Sequence, residues 1–238
     1  MRDREAPPGA AEADLLLMLQ LSDSMFPSGA TAFSWGVESM HEDGVPLKAD
    51  ALRTLMTTLV ERRWAGFDRP FLERAWREQA SGSAPMPALI DVDRRCEAMN
   101  LTEGARAASR RLGFTQLRVH AELGGAAAGA YLAEVREGRA PGHLPIVQGL
   151  VWADHGLSLR QAGTMSAYGL GTAVAGAAMR LGLIGHVDAQ RLLSAVRAVI
   201  VAVLAEPCPD VDDAWTGAPA LDIAAMRHEP RTGRLFAT

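Results

Sequence analysis

The chain of 238 residues has two cysteines, Cys96 and Cys208, far apart and in no CxxC spacing. That excludes a disulfide scaffold and fits a reducing cytosol. Nor does it carry an excess of positive charge. The formal net charge is −4, which speaks against phosphate-driven nucleic-acid binding. The basic stretches at Arg94-Arg95 and between Arg106 and Arg118 are diluted within helical sequence. No run reaches the ~20 strongly apolar residues of a membrane span. Residues 163–185 come nearest, but they are rich in Gly, Ala, Ser and Thr and contain Arg180. The start, Met1-Arg-Asp-Arg-Glu5 followed by a Pro-Gly-Ala run, is no secretory leader. A soluble, cytoplasmic protein is expected.

Catalytic signatures are equally scarce. None of the six histidines stands in HxxxH, HExxH or a Cys/His cluster. His41 sits beside Glu42 and Asp43, and Cys208-Pro-Asp-Val-Asp-Asp213 gathers a thiol and three carboxylates. Such a group can hold a borderline metal, or it can be a solvated acidic helix start favoured by the dipole. His120 and His186 read as structural or surface residues. There is no Gly-x-Ser-x-Gly elbow, and the glycines of 163–176 lack a Gly-Lys-Ser/Thr ending. No catalytic residue, cofactor site or metal site is assigned, and no enzyme is expected.

Helical periodicity, by contrast, is nearly everywhere. Leu52, Leu55, Met56, Leu59, Val60 and Trp64 form one stripe, with Asp50 placed to cap it. A separate helix around Phe71 to Trp76 ends in the loop at residues 81–87, and an amphipathic run holds Leu89 to Met99. From Asn100 a long helical segment runs to about Gly138, with Gly113 and Gly124-Gly125 as interruptions. After the turn at 141–145, a short helix continues through Trp152. Ser158 caps a helix to about Leu183, and Asp188 caps the next, through Leu204. Residues 192–204 are apolar almost all round, which predicts a central helix; a last helix spans 219–227. Neither strand alternation nor a hairpin turn is found. The prediction is an all-α, single-domain bundle of roughly eight to ten helices. The Gly/Ala-rich segments 121–130 and 162–178 suit tight internal packing, or a dimer contact on one face.

Both ends carry unusual chemistry. Residues 19–38 load a turn (Ser22-Asp-Ser24, Pro27-Ser-Gly29) with Phe26, Phe33 and Trp35, although aromatics make up only 5% of the chain. Ser34 is placed to cap a helix bearing Trp35, Val37 and Glu38. Such a loop is either stapled to the core by its aromatics or a partner surface. At the other end, His228 is followed by two arginines flanking a glycine and by Leu235-Phe236. That segment wants an apolar pocket with an acidic rim, on its own domain or on a partner. A flexible tail (1–12), an all-α domain (13–229) and a docking tail (230–238) are expected.

These pieces resemble the family of the urease accessory protein UreF. The stretch Leu19-Gln-Leu-Ser-Asp-Ser-x-x-Pro-x-Gly29 with Ser34-x-Gly36-x-Glu38 looks like its opening signature. Asn100-Leu-Thr with Arg106-Ala-Ala-Ser-Arg110-Arg111 looks like its middle helix. Ser166-Ala-Tyr168, residues 178–185 and Gln190 look like its long C-terminal helix and turn; Asp222, His228 and Arg234-Leu-Phe look like its closing motif. Where members often carry Gly-Gly or an aromatic after the proline turn, this chain has Gly29-Ala30-Thr31, and it closes in Thr238 rather than Ser. The resemblance implies a non-catalytic scaffold, an all-helical homodimer that joins UreD (UreH) to the GTPase UreG for nickel insertion into apo-urease. Nickel would be handled by the assembled complex. It implies partner contacts at Arg234, Leu235, Phe236 and His228, and at Phe26, Pro27, Gly29, Ser34 and Glu38. A GTPase-activating regulator of UreG, or a nickel-holding metallochaperone through Cys208 and its neighbouring acids or His41, are the alternatives.

Overall fold

The computed structural model describes residues 9–29, 33–82 and 86–217. They form an all-α bundle, with no strand among them. Its helices are α1 (Ala10–Ser22), α2 (Val37–Glu42), α3 (Ala49–Thr58), α4 (Arg69–Ser81), α5 (Met86–Met99), α6 (Glu103–Glu122), α7 (Ala126–Arg136), α8 (Leu144–Asp154), α9 (Leu159–Arg180) and α10 (His186–Ala205). The expected helix at 219–227 and the tail from 230 lie outside the described residues. So do residues 1–8, while α1 starts within the stretch expected as a tail.

The two helices expected on either side of Trp64 are one rod. Leu59–Asp68 is a π-helical segment joining α3 to α4, and the Arg69 amide donates to the Trp64 carbonyl five residues back. Pro70 falls in the first turn of α4, where its missing N–H leaves the Gly66 carbonyl without a helical donor. That oxygen instead accepts the Trp215 amide at 2.9 Å, and the Arg62 carbonyl accepts Gly217 at 3.1 Å. Wide π turns free carbonyls for such use. The end of the described chain is thereby stitched along the rod.

The rod spans two apolar clusters. On α3 and its π segment, Leu52, Met56, Val60 and Trp64 pack with Val174, Leu192, Val196 and Ile200 of α9 and α10. On α4, Phe71, Leu72 and Ala75 pack with Leu89, Leu117, Tyr131, Ile146 and Leu150. Arg69, almost buried, fixes α10 to the rod: its guanidinium donates to the Val203 and Glu206 carbonyls at 2.8 and 3.0 Å and to Glu73 at 2.8 Å.

Several local expectations are corrected. Asp50 is not the cap: Lys48 holds that position, and Asp50 sits in the first turn, accepting from Arg53 at 3.1 Å. Gly113 does not interrupt α6. It lets α6 approach the turn before α8, where a side chain would run into the Gly142 carbonyl. Gly124, at φ +90°, does mark a break. Ser158 forms a complete capping box with Gln161. Asp188 lies in the first turn of α10, behind Gly185 at the cap, and pairs with Arg191. Nor is α10 central: Leu192, Val196 and Ile200 face inward, whereas Val201 is 59% exposed.

Helices α4 and α8 cross at Gly149, where a Cβ would run into the Leu72 carbonyl oxygen and sit 2.8 Å from the Trp76 amide nitrogen. Both neighbours are backbone and cannot turn aside. Gly149→Ala should therefore destabilise the fold by about 2 kcal/mol or more. In urea unfolding the midpoint should fall while the slope stays unchanged.

Candidate partner-binding site

A groove of about 640 Å³ crosses the bundle. One wall is the turn after α1, residues 21–29, with Phe33 and Trp35; the first half of α6 and the outer face of α9 form the others, and Leu59, Trp64 and Asp68 of the rod reach the floor. Small residues make it possible: Gly104, Ala105 and Ala108 on α6, and Gly169, Ala173 and Gly176 on α9. The segment 162–178 thus packs tightly inward, with Ala162, Ala167, Ala175 and Ala178 buried, and leaves Gly169 and Thr172 exposed.

The floor is polar and ordered. Trp64 Nε1 donates to Ser166 Oγ at 3.0 Å, and Ser166 donates to Gln148 Oε1 at 2.8 Å. Asp68 accepts from Arg63 at 3.3 Å. Burial raises its carboxyl above the ordinary value, with the Arg63 charge opposing. Gln116, 8% exposed, lines the groove with its Oε1 lacking any hydrogen-bond partner among the described residues. A buried acceptor without a partner costs about 1–3 kcal/mol.

The turn residues split in their roles. Phe26 is part-buried, its ring 5.4 Å from that of His120; Pro27 and Gly29 face the groove. Gly29, at φ +75°, rests on Leu112 and Thr115. Ser34 and Glu38 lie inside the monomer at 0% and 1% exposure, so neither presents a side chain to a partner directly. Ser34 does not cap α2 either. Gly36 is at the cap, and the Ser34 carbonyl accepts the Val37 amide. Trp35 takes a positive φ of 52°, rare for a bulky residue, and so faces the groove. Arg234, Leu235, Phe236 and His228 lie outside the described residues.

Other polar residues brace this geometry. Asp93 accepts from Tyr131 Oη at 2.7 Å and from the amides of Gly142 and His143 at 2.6 and 3.1 Å. His143 Nε2 meets Glu97 at 2.6 Å, and Arg110 pairs with both Glu97 and Glu103. The basic stretch of α6 is thus largely consumed in ion pairs. Ser109 accepts the Leu144 amide at the head of α8. The acids near Cys208 disperse: Asp210 caps a short 3₁₀ turn, and Asp212 pairs with Arg95 at 2.6 Å. Burial, with Glu73 nearby, pushes the Cys208 thiol up to about 12. Among the described residues no three His, Cys, Asp or Glu side chains are grouped to hold a metal. Nor is any helix among them long and apolar enough to cross a membrane.

A model of the UreF family matches residues 47–197. The chain belongs to the UreF family. Urease accessory protein UreF of Agrobacterium fabrum is 30% identical over 226 residues, spanning 94% of this chain and 96% of its own. Those of Yersinia enterocolitica and Trichodesmium erythraeum are each 28% identical, spanning 94% of this chain and 98% and 97% of theirs. Parts of three stretches that resemble the family's motifs, separated by up to about 150 positions, line the groove. Ser24, Pro27, Gly29 and Gly36 come from the opening signature, Ala108 and Ser109 from the middle helix, and Ser166, Tyr168 and Arg180 from α9.

What sequence reading missed is the buried polar set Gln116, Gln148 and Asp93, and the contact of buried His120, read as structural or surface, with exposed His155. The signal available was a polar residue on an otherwise apolar helical face. His120, 2% exposed, lies with Nδ1 3.1 Å from Nε2 of His155. Burial and the His155 charge lower its pKa from 6.5 to about 4. The unfolded chain takes up this proton near 6.5 and the folded chain only near 4, so stability is full above 6.5 and falls as pH drops through that window. The loss should reach about 3 kcal/mol. Urea unfolding of wild type and His120→Asn at pH 7.5 and 4.5 measures it; the variant should show a smaller difference between the two pH values.

Proposed function

We propose that this chain is a non-catalytic scaffold for urease maturation, joining UreD (UreH) to the GTPase UreG so that nickel enters apo-urease. The convergence on one groove of three stretches that resemble the family's motifs carries this reading. Residues brought together from α1's turn, α6 and α9 suit recognition of another chain. The relatives spanning nearly the whole chain bear the name urease accessory protein, which supports the assignment to maturation.

In this reading Pro27, Gly29, Trp35 and the outer face of α9 contact a partner or the second copy of a homodimer. Ser34 and Glu38 hold the turn from within. The tail supplies Arg234, Leu235 and Phe236 to UreD, the two apolar side chains filling a pocket and the arginine pairing with a carboxylate or carbonyl. His228 sits at its base. Nickel is carried by the assembled complex, in the cytoplasm, with no tight site on this chain.

Co-expression with the UreD and UreG counterparts, followed by gel filtration and light-scattering mass, tests this. Full-length chain should yield a defined multi-protein complex, and chain truncated after Glu229 should lose UreD. Phe236→Ala should weaken UreD binding at least about 30-fold, as expected for a buried aromatic anchor. No association of the full-length chain with either partner would overturn the scaffold reading.

A further inference from the structure

Two imidazoles that stand 35 positions apart in the chain are brought into contact by the fold. His120 lies in the last turn of α6, and His155 holds the C-terminal cap of α8. His120 Nδ1 is 3.1 Å from His155 Nε2. His120 is buried, whereas His155 is exposed. The Phe26 ring stands 5.4 Å from that of His120, so the pair adjoins the turn that walls the groove.

Nitrogens aimed straight at one another at this separation, as in a linear N–H···N hydrogen bond, would put the ring centroids roughly 5.4 Å apart. Two imidazoles on one tetrahedral ion, with metal–nitrogen bonds of about 2.0 Å, place their nitrogens about 3.3 Å and their centroids about 5.1 Å apart. In this chain the nitrogens are 3.1 Å and the centroids 5.1 Å apart, with the rings tilted by 56°. The pair is bent away from the head-on arrangement, and a small turn of exposed His155 suffices for both nitrogens to reach one ion. Burial, with the His155 charge, lowers the pKa of His120 to about 4. At neutral pH it is therefore the neutral ring, the form that ligates. Imidazole nitrogen favours late first-row divalent ions over magnesium and calcium, which take oxygen.

We propose that His120 and His155 form a two-imidazole site for a divalent cation of the nickel-to-zinc series, its other positions left to water or to a donor from a docked chain. With two protein ligands in place of the four of a closed structural site, the ion exchanges readily. It ties the end of α6 to the α8–α9 junction and, through the contact of His120 with Phe26, steadies the N-terminal turn. The site stands on these two rings and does not depend on the scaffold reading.

Calorimetric titration of the full-length chain with nickel(II) chloride, and separately with zinc(II) sulfate, in a non-coordinating buffer at pH 7.5 tests this. One ion should bind per chain. His155→Gln, a change at the surface, should weaken binding at least about tenfold, and His120→Asn should do the same. His41→Gln, His186→Gln and Cys208→Ser should leave the affinity unchanged. With copper(II) as the probe, electron paramagnetic resonance should show two coupled imidazole nitrogens in wild type and one in His155→Gln. Saturating nickel should raise the Tm of wild type but not of His155→Gln. Unchanged affinity in His155→Gln, one ion shared by two chains, or a folded wild-type chain that binds no ion would each overturn the site and leave the pair a hydrogen bond. Assembly with UreD and UreG is read separately by gel filtration, so the site and the scaffold reading fail independently.

Discussion

The backbone from Ala49 to Ser81 runs without a break through both apolar clusters, and the π segment in its middle makes that possible. Leu52 and Met56 face α9 and α10, whereas Phe71 and Leu72 face α8. A uniform 3.6-residue repeat would carry one stripe straight along the rod. The wide turn at 59–68 shifts the stripe and puts Trp64 in one cluster and Phe67 in the other. It also leaves the Arg62 and Gly66 carbonyls to hold residues 215–217. Arg69 secures α10 from the same region. Two cores, the last described helix and residues 215–217 thus converge on this ten-residue segment and Arg69 beside it.

The groove follows from this arrangement. Trp64 and Asp68 belong to the π segment and supply part of its floor, while α9, packed on α10 through small side chains, supplies a wall. Glycine and alanine on α9 let helix axes approach and leave shallow space on the outer face. The floor stays polar without being open to bulk water, because Trp64, Ser166 and Gln148 satisfy one another. A surface held this firmly presents a defined shape to a partner at little ordering cost.

Buried polar groups fix the other side of the molecule. Asp93 gathers three donors from two segments, and burial raises its carboxyl against the opposing His143 charge. That cluster holds the turn at 140–143, hence the start of α8, hence the close crossing with α4 at Gly149. Removing one member would strand the others, which is why such networks specify geometry more than they stabilise it.

Helix existence, the all-α class, the capping box at Ser158 and the break at Gly124 were determined locally, by periodicity and by backbone preferences of single residues. The family resemblance was likewise readable from short motifs in order. Tertiary structure alone decided that 49–81 is one rod, its π segment holding Trp215 through the Gly66 carbonyl. It decided that Asp50 and Asp188 sit inside first turns, since caps depend on how the preceding chain arrives. It buried Ser34 and Glu38 and set Gln116 against the groove, because whether a polar side chain faces core or solvent depends on which helix packs over it. That is a property of long-range contacts, which no local window of sequence contains.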